Sequence, residues 1–544
     1  MGDNPKFIFE LKTILNRHYF FYGLIAAFAI YLLYYNIGQT PFWDDEAMVS
    51  WFGRIFSDQQ SFIGYDGYNG FMYRNGALFN YKNPPLDILY SAFIQKLFGS
   101  GELMERSMFA LFSVGSLALF FLIIEKTNEN DFWKKIAFIF FALNINFLLF
   151  GNECRYYPFS YFFAILLYFL LLSLELKASK NQIFIQITIA LTLLLFYLAH
   201  YTQALVWLLL TLHFVFSKFE KAHWLEFRVL FSAILFIVIL CIWHGISINI
   251  LQRADLDNLD NFFLKYAKLA YWYIADLHRF CILSLLGLLP FFFYKFRNQF
   301  FRTKKNKFLI QQILLFSIAI ILTSPQDTSR SSMFDVRYVQ SSLFLFAILN
   351  ASILDTLLQI KWLKKWQIIS LVIVLTTSNL LYYIPLESPI QWTTIGLIYE
   401  KNTNYRTPFT EVREYLDTIS DTKIKTIASI PEFNNTLLLS YFSQRFKISN
   451  SIISNVNVSD AIIRHYNLEN SYVSNIPDLV ILYGRNEKAE KIYNISLKNY
   501  SKIDTIRTFA NGGMDFSRPE VAWHSFQSNH SYNINKEAIY ILRK

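Results

Sequence analysis

The chain has 544 residues, of which 54% are hydrophobic, 19% aromatic and only 17% charged, with a formal net charge of +10. This shortage of charge and a mean hydropathy of +0.29 exclude a soluble globular protein and leave a polytopic membrane protein. The surplus Lys and Arg sit in short polar gaps between apolar runs, so they mark loops facing the cytoplasm rather than a nucleic-acid partner.

In chain order, the charged start (Asp3, Lys6, Glu10, Lys12, Arg17) leads into an apolar run with no small-residue cleavage site, which predicts a retained first helix. Runs long enough to cross about 30 Å of hydrocarbon begin near Tyr19, Leu103, Ile136, Phe159, Ile183, Thr202, Val229, Ala270, Phe308, Val339 and Ile368, about eleven spans in all. With a cytoplasmic N-terminus, the gaps holding Lys126, Lys134, Lys135, Lys177, Lys180, Lys218, Lys221, Arg228, KFRNQFFRTKKNK and Lys361, Lys364, Lys365 all fall on one side. That is the positive-inside bias. An odd number of spans puts the C-terminus outside. The composition turns mixed near Ile384, so residues 1–385 are read as a transmembrane domain and 386–544 as an extracytoplasmic α/β domain. There TEVREYLDTI and NTLLLSYFSQ fit helices, and KIKTIASI and DLVILYGR fit strands.

The first outer loop, residues 37–102, holds two amphipathic stretches. PPLDILYSAFIQKLFG is short and interrupted by Asp87, Gln95 and Lys96, and counting it as a span would invert every later loop. It is therefore expected, like DDEAMVSWFGRIF, to lie in the membrane interface. Three cysteines, Cys154, Cys241 and Cys281, show neither a disulfide framework nor zinc spacing.

This topology brings Asp44, Asp45, Glu46, Lys82, Asn83, Arg155, Tyr156, His200, Tyr201, Arg337 and Tyr338 to one membrane level. A carboxylate there accepts a proton while Arg and Lys hold phosphate oxygens, so the set suits an anionic lipid headgroup and an activated hydroxyl. The same residues also suit plainer roles. Asp44 and Asp45 can cap a helix, Arg155 and Arg337 can snorkel, Tyr338 fits an interfacial aromatic belt, and Asn83-Pro84-Pro85 fits a helix-starting turn.

The order of these pieces is distinctive: an acidic pair after the first span, PPL to KLFG, GELMERSMFALFSV, CRYYPF, and a late RY pair. Over residues 19–345 it resembles the polytopic GT-C glycosyltransferases, most closely the protein O-mannosyltransferases and the lipid A aminoarabinose transferases (glycosyltransferase family 39-like proteins). The resemblance implies a mostly α membrane protein with interfacial helices in the first outer loop. It also implies an inverting enzyme that moves a sugar from a polyprenyl-phosphate donor to a hydroxyl on lipid, glycan or protein. The family's acidic pair maps to Asp45 and Glu46, making Asp45 the general base with Asp44 its rival. The basic residue before Pro-Pro maps to Asn83 by spacing and to Lys82 by chemistry, and a Glu that precedes it in some members falls on Tyr81 or Lys82. Lys82, Arg155 and Arg337 become the donor phosphate ligands, and Tyr81, Asn83, Tyr156, His200, Tyr201 and Tyr338 line the pocket. Some members carry an Asp shortly after the position of Arg155, where this chain has Tyr157-Pro158-Phe159, a departure from the aminoarabinose and protein-mannose branches.

No cofactor is expected. Asp44, Asp45 and Glu46 offer oxygens suited to Mg or Mn, yet adjacent acids diverge on a helix and no second acidic site accompanies them, which favours metal independence. The expected address is the inner membrane, N-terminus cytoplasmic and C-terminal domain periplasmic, among membrane lipid. Two rival classes remain in view: a glycolipid transporter or flippase, and a polymerase or ligase using a polyprenyl diphosphate. The first predicts ionisable groups at the midplane with matching halves, and the second a more cationic outer loop than this one.

Overall fold

The structure, a computed structural model, describes residues 17–38, 84–127, 129–176, 182–219, 227–247, 286–323 and 339–377, five strands, and scattered positions between them. Its helices in chain order are α1 (Arg17–Tyr34), α2 (Leu86–Phe98), α3 (Glu102–Glu125), α4 (Asp131–Ala142), α5 (Ile145–Phe150), α6 (Tyr157–Leu176) and α7 (Gln182–Ala199). They continue with α8 (Tyr201–Lys218), α9 (Arg228–Ser247), α10 (Tyr294–Phe300), α11 (Lys304–Thr323), α12 (Leu343–Gln359) and α13 (Lys365–Thr377). Among the described residues five helical stretches are long and apolar enough to cross a membrane, starting at Glu102, Tyr157, Gln182, Lys304 and Gln340. The chain is a multi-pass membrane protein. The run near Ala270 lies mostly outside the described residues, as does NTLLLSYFSQ.

Local chemistry sets several boundaries. The run from Ile136 breaks into α4 and α5 because Asn144, between them, turns its side chain to accept from the Asn146 amide at 3.0 Å and starts a new helix. Asn130 caps α4 by accepting from the Trp133 amide at 2.8 Å. A single residue, His200, separates α7 from α8. PPLDILYSAFIQKLF does form a helix, α2, and its 13 residues span only about 20 Å, too short for the hydrocarbon core.

By compactness the chain divides into two units: 1–35, 109–383 and 391–398 in one, and 36–108, 384–390 and 399–544 in the other. In the first, aromatic rings fill the core. Phe344 of α12 meets Phe120, Tyr168 and Trp207 at centroid distances of 6.3, 5.3 and 5.6 Å. Polar ties close one end of α4 and α12: the Trp133 indole donates to Ser352 at 3.1 Å, and Asn130 to the buried Asp355 at 2.9 Å.

The second unit holds α2, the start of α3, and strands β1 (Thr426–Ile430), β2 (Lys447–Ile448), β3 (Leu479–Tyr483), β4 (Ser501–Arg507) and β5 (Ala538–Arg543). They form one mixed sheet in the order β2-β1-β3-β5-β4. Strand β1 pairs parallel to β2 and β3, while β5 pairs antiparallel to β3 and β4. The predicted strands in KIKTIASI and DLVILYGR are β1 and β3.

Candidate functional site

In the second unit, the described part of the segment that bears the acidic triplet is anchored at Glu46. Glu46, fully buried, forms an ion pair with Arg106 of α3: Nε donates to Oε1 at 2.9 Å and Nη2 donates to Oε2. The guanidinium also donates to the Ile37 carbonyl at 3.1 Å and lies 5.2 Å from the centre of the Phe42 ring. Beside it the Glu105 carboxyl accepts from Ser50 at 2.7 Å and from Ser91 of α2 at 2.6 Å, while Gln95 donates to the Ser50 carbonyl at 2.6 Å. The contact is close enough to require glycine. A Cβ at Gly53 would meet Ser91 Oγ at 2.6 Å and the Ala92 backbone nitrogen at 2.9 Å. Asp44 and Asp45 lie outside the described residues, but Phe42 and Glu46 on either side of them are buried.

Glu46 therefore has a partner that uses both its oxygens, the arrangement of a locked ion pair rather than of a free carboxylate. Arg106 and Glu105 carried no role in the sequence reading. The signal was present in GELMERSM, because a Glu-Arg pair entering an apolar helix needs partners.

In the first unit, the CRYYPF turn is held against α1 and α3. Ser113 donates to the Gly151 carbonyl at 2.6 Å and Asn152 to the Leu33 carbonyl at 2.7 Å. A Cβ at Gly151 would meet the Phe147 carbonyl oxygen at 2.3 Å, so no side chain fits there. From this turn the Arg155 guanidinium lies 5.5 Å from the centre of the Tyr156 ring, a cation-π contact. Tyr156 meets His200 edge to face at 4.3 Å. His200 caps α8, its Nδ1 accepting from the Gln203 amide at 3.3 Å, which leaves Nε2 as the nitrogen that carries the proton in the neutral ring. Tyr201 packs against Tyr197, ring centroids 4.8 Å apart and planes tilted by 48°. Three predicted residues, Arg155, Tyr156 and His200, are thus one contiguous group. Tyr81, Lys82, Asn83, Arg337 and Tyr338 lie outside the described residues.

Two further residues of this unit went unread in the sequence. Asn146 and Gln340 are both fully buried, and neither polar atom of either side chain has a hydrogen-bond partner. Neighbouring hydrogen bonds tie the segments that carry them to α6 and α8. Tyr161, four residues into α6, donates to the Asn146 carbonyl at 3.1 Å, and Trp207, six residues into α8, donates to Ser341 beside Gln340 at 3.0 Å. At 1.5 Å per residue, Tyr161 and Trp207 sit about 6 and 9 Å along their helices from the ends next to Tyr156 and His200. A buried amide left unpaired costs about 1–3 kcal/mol. Fold stability does not explain keeping two of them.

Among the described residues no cluster of His, Cys, Asp or Glu could hold a metal ion.

No family model and no curated protein matches the chain. Solved structures do. ArnT from Cupriavidus metallidurans in the apo state matches with a TM-score of 0.52 at 12% identity, over 95% of this chain and 97% of that one. The Archaeoglobus fulgidus oligosaccharyltransferase in complex with zinc and sulfate matches with a TM-score of 0.52 at 11% identity, over 90% of this chain and 72% of that one. Identities this low establish architecture rather than reaction: the chain is built on the GT-C glycosyltransferase fold that its motif order resembles.

Proposed function

We propose that the protein is an inverting glycosyltransferase of the inner membrane, moving a sugar from a polyprenyl-phosphate donor to an acceptor hydroxyl at the periplasmic face. The observation that carries this reading is the joining of Arg155 and Tyr156, in the turn before α6, with His200, between α7 and α8, at the end of a GT-C bundle, into a group with a cation beside aromatic rings. Arg155 holds the donor phosphate, a role that the family resemblance also gives to Lys82 and Arg337. Asp45 removes the acceptor proton as the new glycosidic bond forms and the phosphate departs. The Tyr156 ring, braced edge to face by His200, holds the guanidinium in place, so that it needs no rearrangement as negative charge grows on the phosphate.

The test supplies washed membranes with radiolabelled polyprenyl-phosphate sugars and follows label into lipid, glycan and protein. Wild type transfers label, and Arg155→Ala transfers roughly a hundredfold less, since one donor aimed at developing charge supplies about 3 kcal/mol. Retention of all label on the polyprenyl carrier, across every sugar offered, would refute the reading. Excess EDTA leaves transfer intact in the metal-independent mechanism; complete loss restored by Mg or Mn would assign a metal to it.

The buried amides give a second expected outcome, with opposite signs for stability and activity. Polar hydroxyls of a bound sugar would satisfy Asn146 and Gln340, so Gln340→Leu removes about 1–3 kcal/mol of unsatisfied burial from the ligand-free protein. Its melting temperature in detergent rises or stays level while transfer falls. A fall in both would make Gln340 a structural residue.

A further inference from the structure

The bundle carries a dense cationic surface that the proposed reaction does not use. Residues 294–307 hold six Lys or Arg, residues 361–365 hold three, and no acid occurs between Asp276 and Asp327 or between Asp355 and Glu387. Packing joins the two segments. Trp362 lies 5.2 Å from Phe293 and 6.4 Å from Phe296, and Gln299 of α10 donates to Gln359 at the end of α12 at 2.7 Å. Helix α10 buries Phe296 and Phe300 and leaves Arg297 exposed. Lys305 is paired with Glu129 at 2.9 Å. Arg297, Arg302, Lys361, Lys364 and Lys365 are exposed and have no acidic partner among the described residues.

Backbone geometry singles out Lys361. Helix α12 ends with the Lys361 amide donating to the Leu358 carbonyl and the Trp362 amide to the Leu357 carbonyl, both at 3.0 Å. These are the bonds of a Schellman motif, whose left-handed position normally takes glycine. Here Lys361 occupies it at a φ of 60°. A cation is held where the chain's own conformation disfavours a side chain, so helix stability does not explain it.

We propose that this surface is a headgroup site for an anionic phospholipid, with Arg297, Arg302, Lys361, Lys364 and Lys365 around the phosphate. The occupant is a lipid rather than a soluble acidic partner because the same surface exposes Phe292, Tyr294, Trp362 and Trp366. Aromatic residues of this kind settle at the boundary between headgroups and acyl chains. The positive-inside bias makes that leaflet the cytoplasmic one, where anionic headgroups meet basic clusters. The site stands apart from the proposed chemistry and does not depend on it.

The full-length protein in mixed detergent and lipid is titrated with phosphatidylglycerol or phosphatidylcholine, and retained lipid is read by native mass spectrometry. Wild type retains phosphatidylglycerol in preference to phosphatidylcholine. Each cation removed lowers that retention about fivefold, so Lys361→Gly/Lys364→Gln/Lys365→Gln loses about a hundredfold. A control, Lys126→Gln/Lys135→Gln/Lys218→Gln, loses the same charge from other loops and retains the lipid. Lys361→Gly alone keeps the melting temperature level or raises it, because glycine suits a left-handed residue, and still loses about fivefold in retention. Equal retention by wild type and the Lys361 variants, or an equal loss in the control, overturns the proposal.

Discussion

Replacing Asp45 by Asn lowers sugar transfer by about 10²–10⁴-fold, the usual contribution of a positioned general base, and leaves the protein folded in the membrane. The amide cannot take the acceptor proton, so the hydroxyl must attack without help. Folding survives because neighbouring Phe42 and Glu46 hold this stretch of chain through buried contacts of their own. Asp44→Asn is the matched comparison and loses less than tenfold. A reversed order would move the base to Asp44, and full activity in both variants would remove a carboxylate base from the mechanism altogether. Apparent affinity for the donor is read alongside the rate. Loss of a base lowers the turnover number, whereas loss of a phosphate ligand such as Arg155 also weakens lipid binding when the contact exists in the ground state.

Breaking the Glu46–Arg106 ion pair has the largest expected effect on stability. Glu46→Gln leaves the Arg106 guanidinium buried without its counter-charge, which costs about 3–5 kcal/mol in comparable buried pairs. Arg106→Leu strands Glu46 and also removes the donor to the Ile37 carbonyl, so its loss is at least as great. The double variant Glu46→Leu/Arg106→Leu recovers most of the loss, because two apolar side chains of similar volume pack without a buried charge. Unfolding in mixed micelles gives the double-mutant cycle. If the single and double variants were equally destabilised, the pair would be no lock, and the acidic segment would have to be held some other way.

These two outcomes separate neighbouring carboxylates that the sequence presents as equals. In PFWDDEAM the residues alone do not show that Glu46 is locked in an ion pair, and only the family resemblance favours Asp45 as the base. The difference comes from Arg106, sixty residues away, whose guanidinium binds both Glu46 oxygens. A similar sorting occurs in CRYYPF and LAHYTQ: the sequence nominates Arg155, Tyr156, His200 and Tyr201, and the packed chain joins the first three while Tyr201 packs against Tyr197.

By itself the sequence determined the membrane class, the apolar helices found among the described residues, the short helix α2, and strands β1 and β3. Those features depend on local quantities: run length against bilayer thickness, charge in the gaps, and alternation along a strand. Only the tertiary structure decided that the run from Ile136 splits at Asn144, that Glu46 is locked to Arg106, that Asn146 and Gln340 are buried without partners, and that two acid-free cationic segments meet around Trp362. Each of these depends on which distant segments lie side by side. The energy of a buried charge or amide is set by what surrounds it, and the surroundings come from other parts of the chain.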